Sequence, residues 1–312
     1  MPTTIATDSA KRALLERLID DAGLFPPAEL PMRLALRAHA RHAESAYAWT
    51  GGALVVPASR LGELSDVRDP SRPLTLSIIL DAALAAKGDT MLADLDRIAR
   101  AGLDGVTVAS LELKAPAALD AAALGRAVAA VAEHRPDQTT AFYYEAPYAG
   151  GWATPPPESL AVVAAARAAA PATVTVGAKL RCGGAAPGAT PSVEDVAAFV
   201  TAAQAHGVPW KATAGLHHPV RGIYRGAMRH GFLNLFIAAV ALHAGALDAG
   251  RVAEVIAEED PRAFLVDPRH VGWRDVRVEP EAVAGARAQA VAFGSCSFDE
   301  PVNGLRELGL LL

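Results

Sequence analysis

The chain has 312 residues, 52% of them hydrophobic, which is enough to bury a large core. Its 29 basic and 34 acidic residues leave a formal charge of −5 at pH 7, and they are mixed along the chain with no basic stripe, which argues against a nucleic-acid partner. The longest apolar run, residues 232–246, is too short to span a membrane and contains His243. The polar N-terminal segment does not read as a secretory leader, so a cytoplasmic location is expected, with Cys182 and Cys296 as thiols rather than a bridge.

In chain order, residues 9–22 predict a helix that Asp8 or Ser9 can cap and Gly23 ends, followed by a turn at Phe25-Pro26-Pro27. A second helix is expected over about 29–46. The pattern then changes. Residues 54–56 form a short apolar run closed by Pro57, and residues 74–80 read as a clear strand followed by a helix over 90–101. Strand and helix alternate from there: strand 106–113 and helix 117–134, strand 139–145 and helix 157–170, strand 173–182 and helix 192–206. A strand over 209–214 leads into a loop to about 229 and a helix over 230–244. Helix 249–258 precedes an ambiguous stretch, 264–278, which must supply a weak seventh strand if a barrel is to close. A helix over 280–290 and a strand over 291–295 complete the series.

Repeated alternation of this kind implies a parallel sheet with helical crossovers. Strands of an open sheet tend to be apolar on both faces, whereas here one face is small or polar. Thr175, Gly177, Lys179 and Arg181 oppose Val174, Val176, Ala178 and Leu180, and Lys211, Thr213 and Gly215 oppose Trp210, Ala212 and Ala214. The expected fold is therefore α/β, a single (β/α)8 TIM-type barrel with extra N-terminal helices. One domain covers residues 1–312, with 1–50 a helical extension and 51–312 the barrel. An open doubly wound sheet is the rival architecture.

Polar residues late in the strands mark the carboxyl-end mouth, where barrel sites lie. Closing the barrel gathers Asp81, Glu112, Glu145, Lys179, Arg181, Lys211, Thr213, Ser295 and Ser297, with His217 and His218 above them. Lys211 has three readings: a nucleophilic amine whose pKa is lowered by burial and by Lys179 and Arg181, an ion pair with Glu145 or Asp81, or an anchor for a substrate anion. Lys179 and Arg181, two apart and followed by Gly183 and Gly184, suit an anion. Glu145 suits proton transfer beside a lysine or serves as its counter-ion. Glu112 and Lys114 are expected to pair with each other. His217 and His218 point opposite ways in extended chain, so one of them reaches the site; adjacent histidines are a weak metal signal. No dinucleotide fingerprint, P-loop or H-E-x-x-H occurs, and no cofactor or bound metal is expected.

Lys211-Ala212-Thr213-Ala214-Gly215 resembles the sixth strand of deoxyribose-phosphate-type class I aldolases, and Lys179-Leu180 resembles the fifth. The resemblance implies a barrel and a lysine that forms a Schiff base, and it carries over to Lys211 alone. The N-terminal helices and the histidine pair are foreign to that family. Taken together, the expectation is a lyase of aldolase type acting on a small anionic carbonyl metabolite. Lys211, Glu145 and Lys179 are its catalytic residues, and Arg181, Thr213, His217, His218 and Arg221 bind the substrate. A metal-dependent hydrolase or isomerase and a non-catalytic binder of an acidic metabolite are the alternatives. Self-association into a homo-oligomer is compatible with the sequence.

Overall fold

Eight parallel strands close into a barrel in the computed structural model, which describes residues 9–81, 89–114, 119–146, 148, 150–184 and 188–311. We number the barrel strands β1 (Ile19–Asp21), β2 (Gly51–Pro57), β3 (Leu74–Leu80), β4 (Val106–Lys114), β5 (Thr140–Glu145), β6 (Val174–Arg181), β7 (Trp210–Thr213) and β8 (Ala290–Ser295). Each pairs with its neighbour in sequence, and β1 pairs with both β2 and β8 to close the ring. The architecture is the expected (β/α)8 barrel.

Two elements differ from the sequence reading, and they compensate. The first helix is only Ala10–Leu15, capped by the Ser9 side chain. Arg17 then turns through a positive φ of 50°, and the chain runs extended as β1, inside the segment read as helix 9–22. The second N-terminal helix, Met32–Ala43, does form. Residues 264–278 contribute nothing to the barrel. They fold into a separate antiparallel sheet of Phe264–Val266, Val271–Trp273 and Val276–Val278. Every strand between therefore moves up one place: Lys179 stands on the sixth strand and Lys211 on the seventh.

The period-two pattern sorts side chains as the sequence requires. On β6 the apolar set, Val174, Val176, Ala178 and Leu180, is buried in the hydrophobic core. Outside β7 and β8 the core is aromatic: Trp210 stacks on Phe236 at 5.4 Å between ring centroids, and Phe293 on Phe232 at 4.9 Å. That layer belongs to helix Phe232–His243, which is buried along nearly its whole length. The opposite face of each strand looks into the barrel, where space is limited. A Cβ on Gly177 would lie 2.7 Å from the Tyr143 ring and 2.5 Å from the Pro209 carbonyl oxygen, so glycine there admits the tyrosine to the interior.

Candidate active site

Glu112, on β4, is the centre of an alternating chain of charges inside the barrel. Its Oε2 lies 2.5 Å from Lys179 Nζ on β6, and its Oε1 lies 2.5 Å from Lys211 Nζ on β7. Beyond Lys211 comes Asp20 on β1, with Oδ2 at 2.6 Å; the other Asp20 oxygen accepts the Ala53 N–H at 2.7 Å. Beyond Lys179 comes Glu145 on β5, at 3.1 Å, and its Oε1 accepts from Arg181 Nη2 at 2.8 Å and Nε at 2.9 Å. Ser77 donates to Glu112 and accepts from Lys211. The sequence Arg181–Glu145–Lys179–Glu112–Lys211–Asp20 thus alternates in sign and carries no net charge. Only Arg181 reaches toward solvent, with 28% of its side chain exposed against 6% for Lys179 and 5% for Lys211.

This arrangement sets the protonation states. Burial favours loss of the Lys211 proton, but the carboxylates of Asp20 and Glu112 outweigh it, and the pKa moves up. Lys179 moves up for the same reason, against Glu112 and Glu145. The expected lowering at Lys211 does not occur, because each neighbouring cation brings its own acid. Burial works against the charge on Glu112, but Lys179 and Lys211 hold its carboxyl well below the usual range. Glu145 is lowered similarly, burial being outweighed by Lys179 and Arg181. The Tyr143 ring lies 5.7 Å from Lys211 Nζ, and burial pushes its phenol up to about 12.

Of the residues expected at the site, Lys211, Lys179, Glu145 and Arg181 come together. Thr213 lies level with Arg181 on the adjacent strand, on the interior face. His217 stands at the mouth, with Nδ1 2.7 Å from Glu300 Oε2. His218 turns aside and stacks on Tyr224 at 3.4 Å. Arg221 pairs with Glu259, and its N–H donates to Asn234 Oδ1, so it closes no lid over the lysines. Asp81 is exposed and accepts the Ser59 N–H at 2.6 Å, outside the cluster. Glu112 pairs with the two lysines and not with Lys114, which is exposed. Asp20 is the member that sequence reasoning missed, because it falls in the segment read as helix. Its signal is the pair Asp20-Asp21 directly after apolar Leu18-Ile19, an acidic doublet at the end of a short strand.

The rim is tightly built. The Gly183 position lies 3.0 Å from Gly215 Cα for any added Cβ, so the loops after β6 and β7 touch backbone to backbone. Among the described residues, no three His, Cys, Asp or Glu side chains converge to hold a metal ion. What the interior does offer is two amines on one carboxylate, at distances where a proton passes directly between acid and base, and a partly exposed arginine whose fork is held by Glu145.

The fold is similar to that of a deoxyribose phosphate aldolase from Aeropyrum pernix, described as a unique tetrameric structure. The TM-score is 0.51 at 13% sequence identity, over 96% of this chain and 93% of that one. The likeness is one of fold. A second chain, described as QR15, an aldolase, has a TM-score of 0.49 at 12% identity, over 96% of this chain and 98% of that one. No family model matches the chain, and no curated protein matches it.

Proposed function

We propose that this protein is an enzyme acting on a small anionic carbonyl compound, with aldolase-type chemistry through a lysine Schiff base. The observation that carries the reading is the buried pair of ammoniums, Lys179 and Lys211, on the two oxygens of Glu112. Two lysines in a barrel interior are costly to bury, and their placement at the mouth end, under a partly open arginine, is a use of that cost.

The two lysines divide the work. Lys211 is clamped by Asp20 and Glu112 and stays charged. Lys179 shares Glu145 with Arg181. A substrate anion that draws Arg181 to itself leaves Glu145 free to take the Lys179 proton. The neutral amine then attacks the carbonyl carbon. The carbonyl oxygen takes one proton from the attacking nitrogen and one back from Glu145 and leaves as water; the nitrogen keeps one hydrogen and carries the positive charge of the new C=N bond. The fixed charge of Lys211 favours the neutral form of the neighbouring amine in this step. In this reading the role first given to Lys211 passes to Lys179. The amine then stands on the sixth strand of the barrel, whereas the motif that resembles the class I aldolases stays with Lys211 on the seventh.

The chain has five lysines, so the test is direct. Borohydride is added in the presence of a panel of small aldehydes and keto acids, and the modified lysine is mapped by mass spectrometry. A reduced adduct on Lys179 is expected. Adduct on Lys211 reverses the two roles, and adduct confined to Lys11, Lys87 or Lys114 overturns the amine mechanism. Anion binding without any adduct, lost in Arg181→Ala, favours the binding-protein reading instead. Self-association of this chain is likewise a proposal, and sedimentation of the purified protein tests it.

A further inference from the structure

Three side chains from three elements meet at the rim, and the amine chemistry above does not use them. His217 follows β7 by a few residues, Cys296 is the first residue after β8, and Glu300 lies in the first turn of the helix Asp299–Glu307. His217 Nδ1 is 2.7 Å from Glu300 Oε2, and the Cys296 sulfur is 4.0 Å from Nδ1 and 3.9 Å from Nε2. The group stands beyond the carboxyl ends of β7 and β8. Phe293 packs outward on Phe232, whereas a Cβ on Gly294 would face Thr213 Oγ1 and Ala22 inside the barrel. Cys296, two residues further, lies in the bend that follows β8.

The imidazole is held rather than loose. Leu216 on one side of it is buried, and His218 on the other is stacked on Tyr224. Pro219 packs so closely on Gly304 that a Cβ there would lie 2.5 Å from it, which pins the loop against the helix that supplies Glu300. Arg225 approaches the far oxygen of Glu300 at 3.6 Å and completes the charged surroundings. A carboxylate on Nδ1 fixes the proton at that nitrogen and leaves the Nε2 lone pair as the acceptor. The sulfur is almost equidistant from both nitrogens, so it does not sit on the axis of that lone pair. Burial moves the Cys296 pKa up, so it stands there as a thiol.

We propose that His217, oriented by Glu300, is the proton acceptor of the reaction, which restricts the substrates to carbonyl compounds bearing a hydrogen on the adjacent carbon. The inference rests on the lysine reading above. Once the substrate is bound as an iminium, Nε2 takes the hydrogen from the carbon next to the C=N bond. The C–H electron pair becomes a C=C bond, the C=N π pair moves to nitrogen, and the products are a neutral enamine and an imidazolium facing Glu300. Return of the proton reverses the step. Acid–base catalysis of this kind contributes about 10²–10⁴-fold.

The experiment uses pyruvate and acetaldehyde, one anionic and one neutral, both with exchangeable hydrogens beside the carbonyl. Loss of their methyl proton signals in D₂O is followed by NMR as a function of pH, with borohydride trapping run in parallel. The native chain is expected to exchange at least one probe. His217→Gln is expected to keep the trapped adduct while exchange drops by about 10²-fold or more. Glu300→Gln is expected to slow exchange less than His217→Gln does, with the adduct still trapped. Exchange at the native rate in His217→Gln, with the adduct still formed, overturns this inference alone. Absence of both exchange and adduct from the native chain overturns it together with the reading it rests on.

Discussion

Glu112 is the residue on which the interior depends. It is 3% exposed and is shared by two ammoniums, so its removal leaves two positive charges facing each other out of water. Breaking a buried ion pair from one side costs about 3–5 kcal/mol. Glu112→Gln is therefore expected to lower the urea midpoint by about that much in free energy, and Glu112→Gln with Lys211→Met less than the two single changes summed. A single-variant loss under about 1 kcal/mol would mean that water already reaches these groups. The site is legible in the sequence as far as local spacing goes. Lys179 and Arg181 share a face because strand side chains alternate, and Lys211 and Thr213 do the same. Partner choice is not local. Glu112 reaches Lys211 across the barrel, 99 residues along the chain, and nothing in the spacing of Glu112 and Lys114 reveals that their expected pairing loses to it.

At the scale of elements, the alternating strands and helices are legible because each strand from β3 to β7 carries an apolar face. β1 is not legible for a physical reason. It has three residues, two of them acidic, and follows a helix directly, so neither periodicity has room to express itself. Asp20 hides with it. Its inward direction is imposed by the closure of β1 on β2 and β8, where its oxygens meet Lys211 and the Ala53 N–H. A second element-scale constraint lies between β5 and β6. Gly177 is level with Tyr143 across the pair, and any Cβ would strike both the ring and the β7 approach at Pro209. Neither neighbour is a flexible tip, so the strain must be absorbed by the strands. Gly177→Ala is expected to cost about 1–3 kcal/mol, as overpacked interiors do. It should also displace the Tyr143 ring, seen as a change in near-ultraviolet circular dichroism. A variant as stable as the native chain with an unaltered spectrum would place that ring elsewhere.

Across the whole molecule, the same buried charges set a pH window for stability. The folded pKa values of Glu112, Glu145 and Asp21 are depressed. Each contributes stability that is present above its unfolded value and is lost as pH falls through the folded one. Lys179 and Lys211 are shifted the other way, so their contribution is full below about 10 and fades only as pH rises beyond it. The contribution of these groups is full from about pH 5 to about pH 10 and declines on the acid side. Asp21 gives that decline a separable part. It points out of the barrel toward helix Met32–Ala43, where burial disfavours its charge but His39 and His42 outweigh it and hold it at about 2, down from 3.8. That difference corresponds to about 2 kcal/mol at neutral pH. Asp21→Asn should therefore be less stable than the native chain by about this amount at pH 7. The gap should narrow between about pH 4 and pH 3, as the native carboxylate loses its advantage over the unfolded chain. Urea titrations read by the fluorescence of buried Trp210 and Trp273 measure both quantities. A gap that stays constant down to pH 3 would assign the loss to packing around the asparagine, because only a carboxylate that titrates differently in the folded and unfolded chain makes it depend on pH.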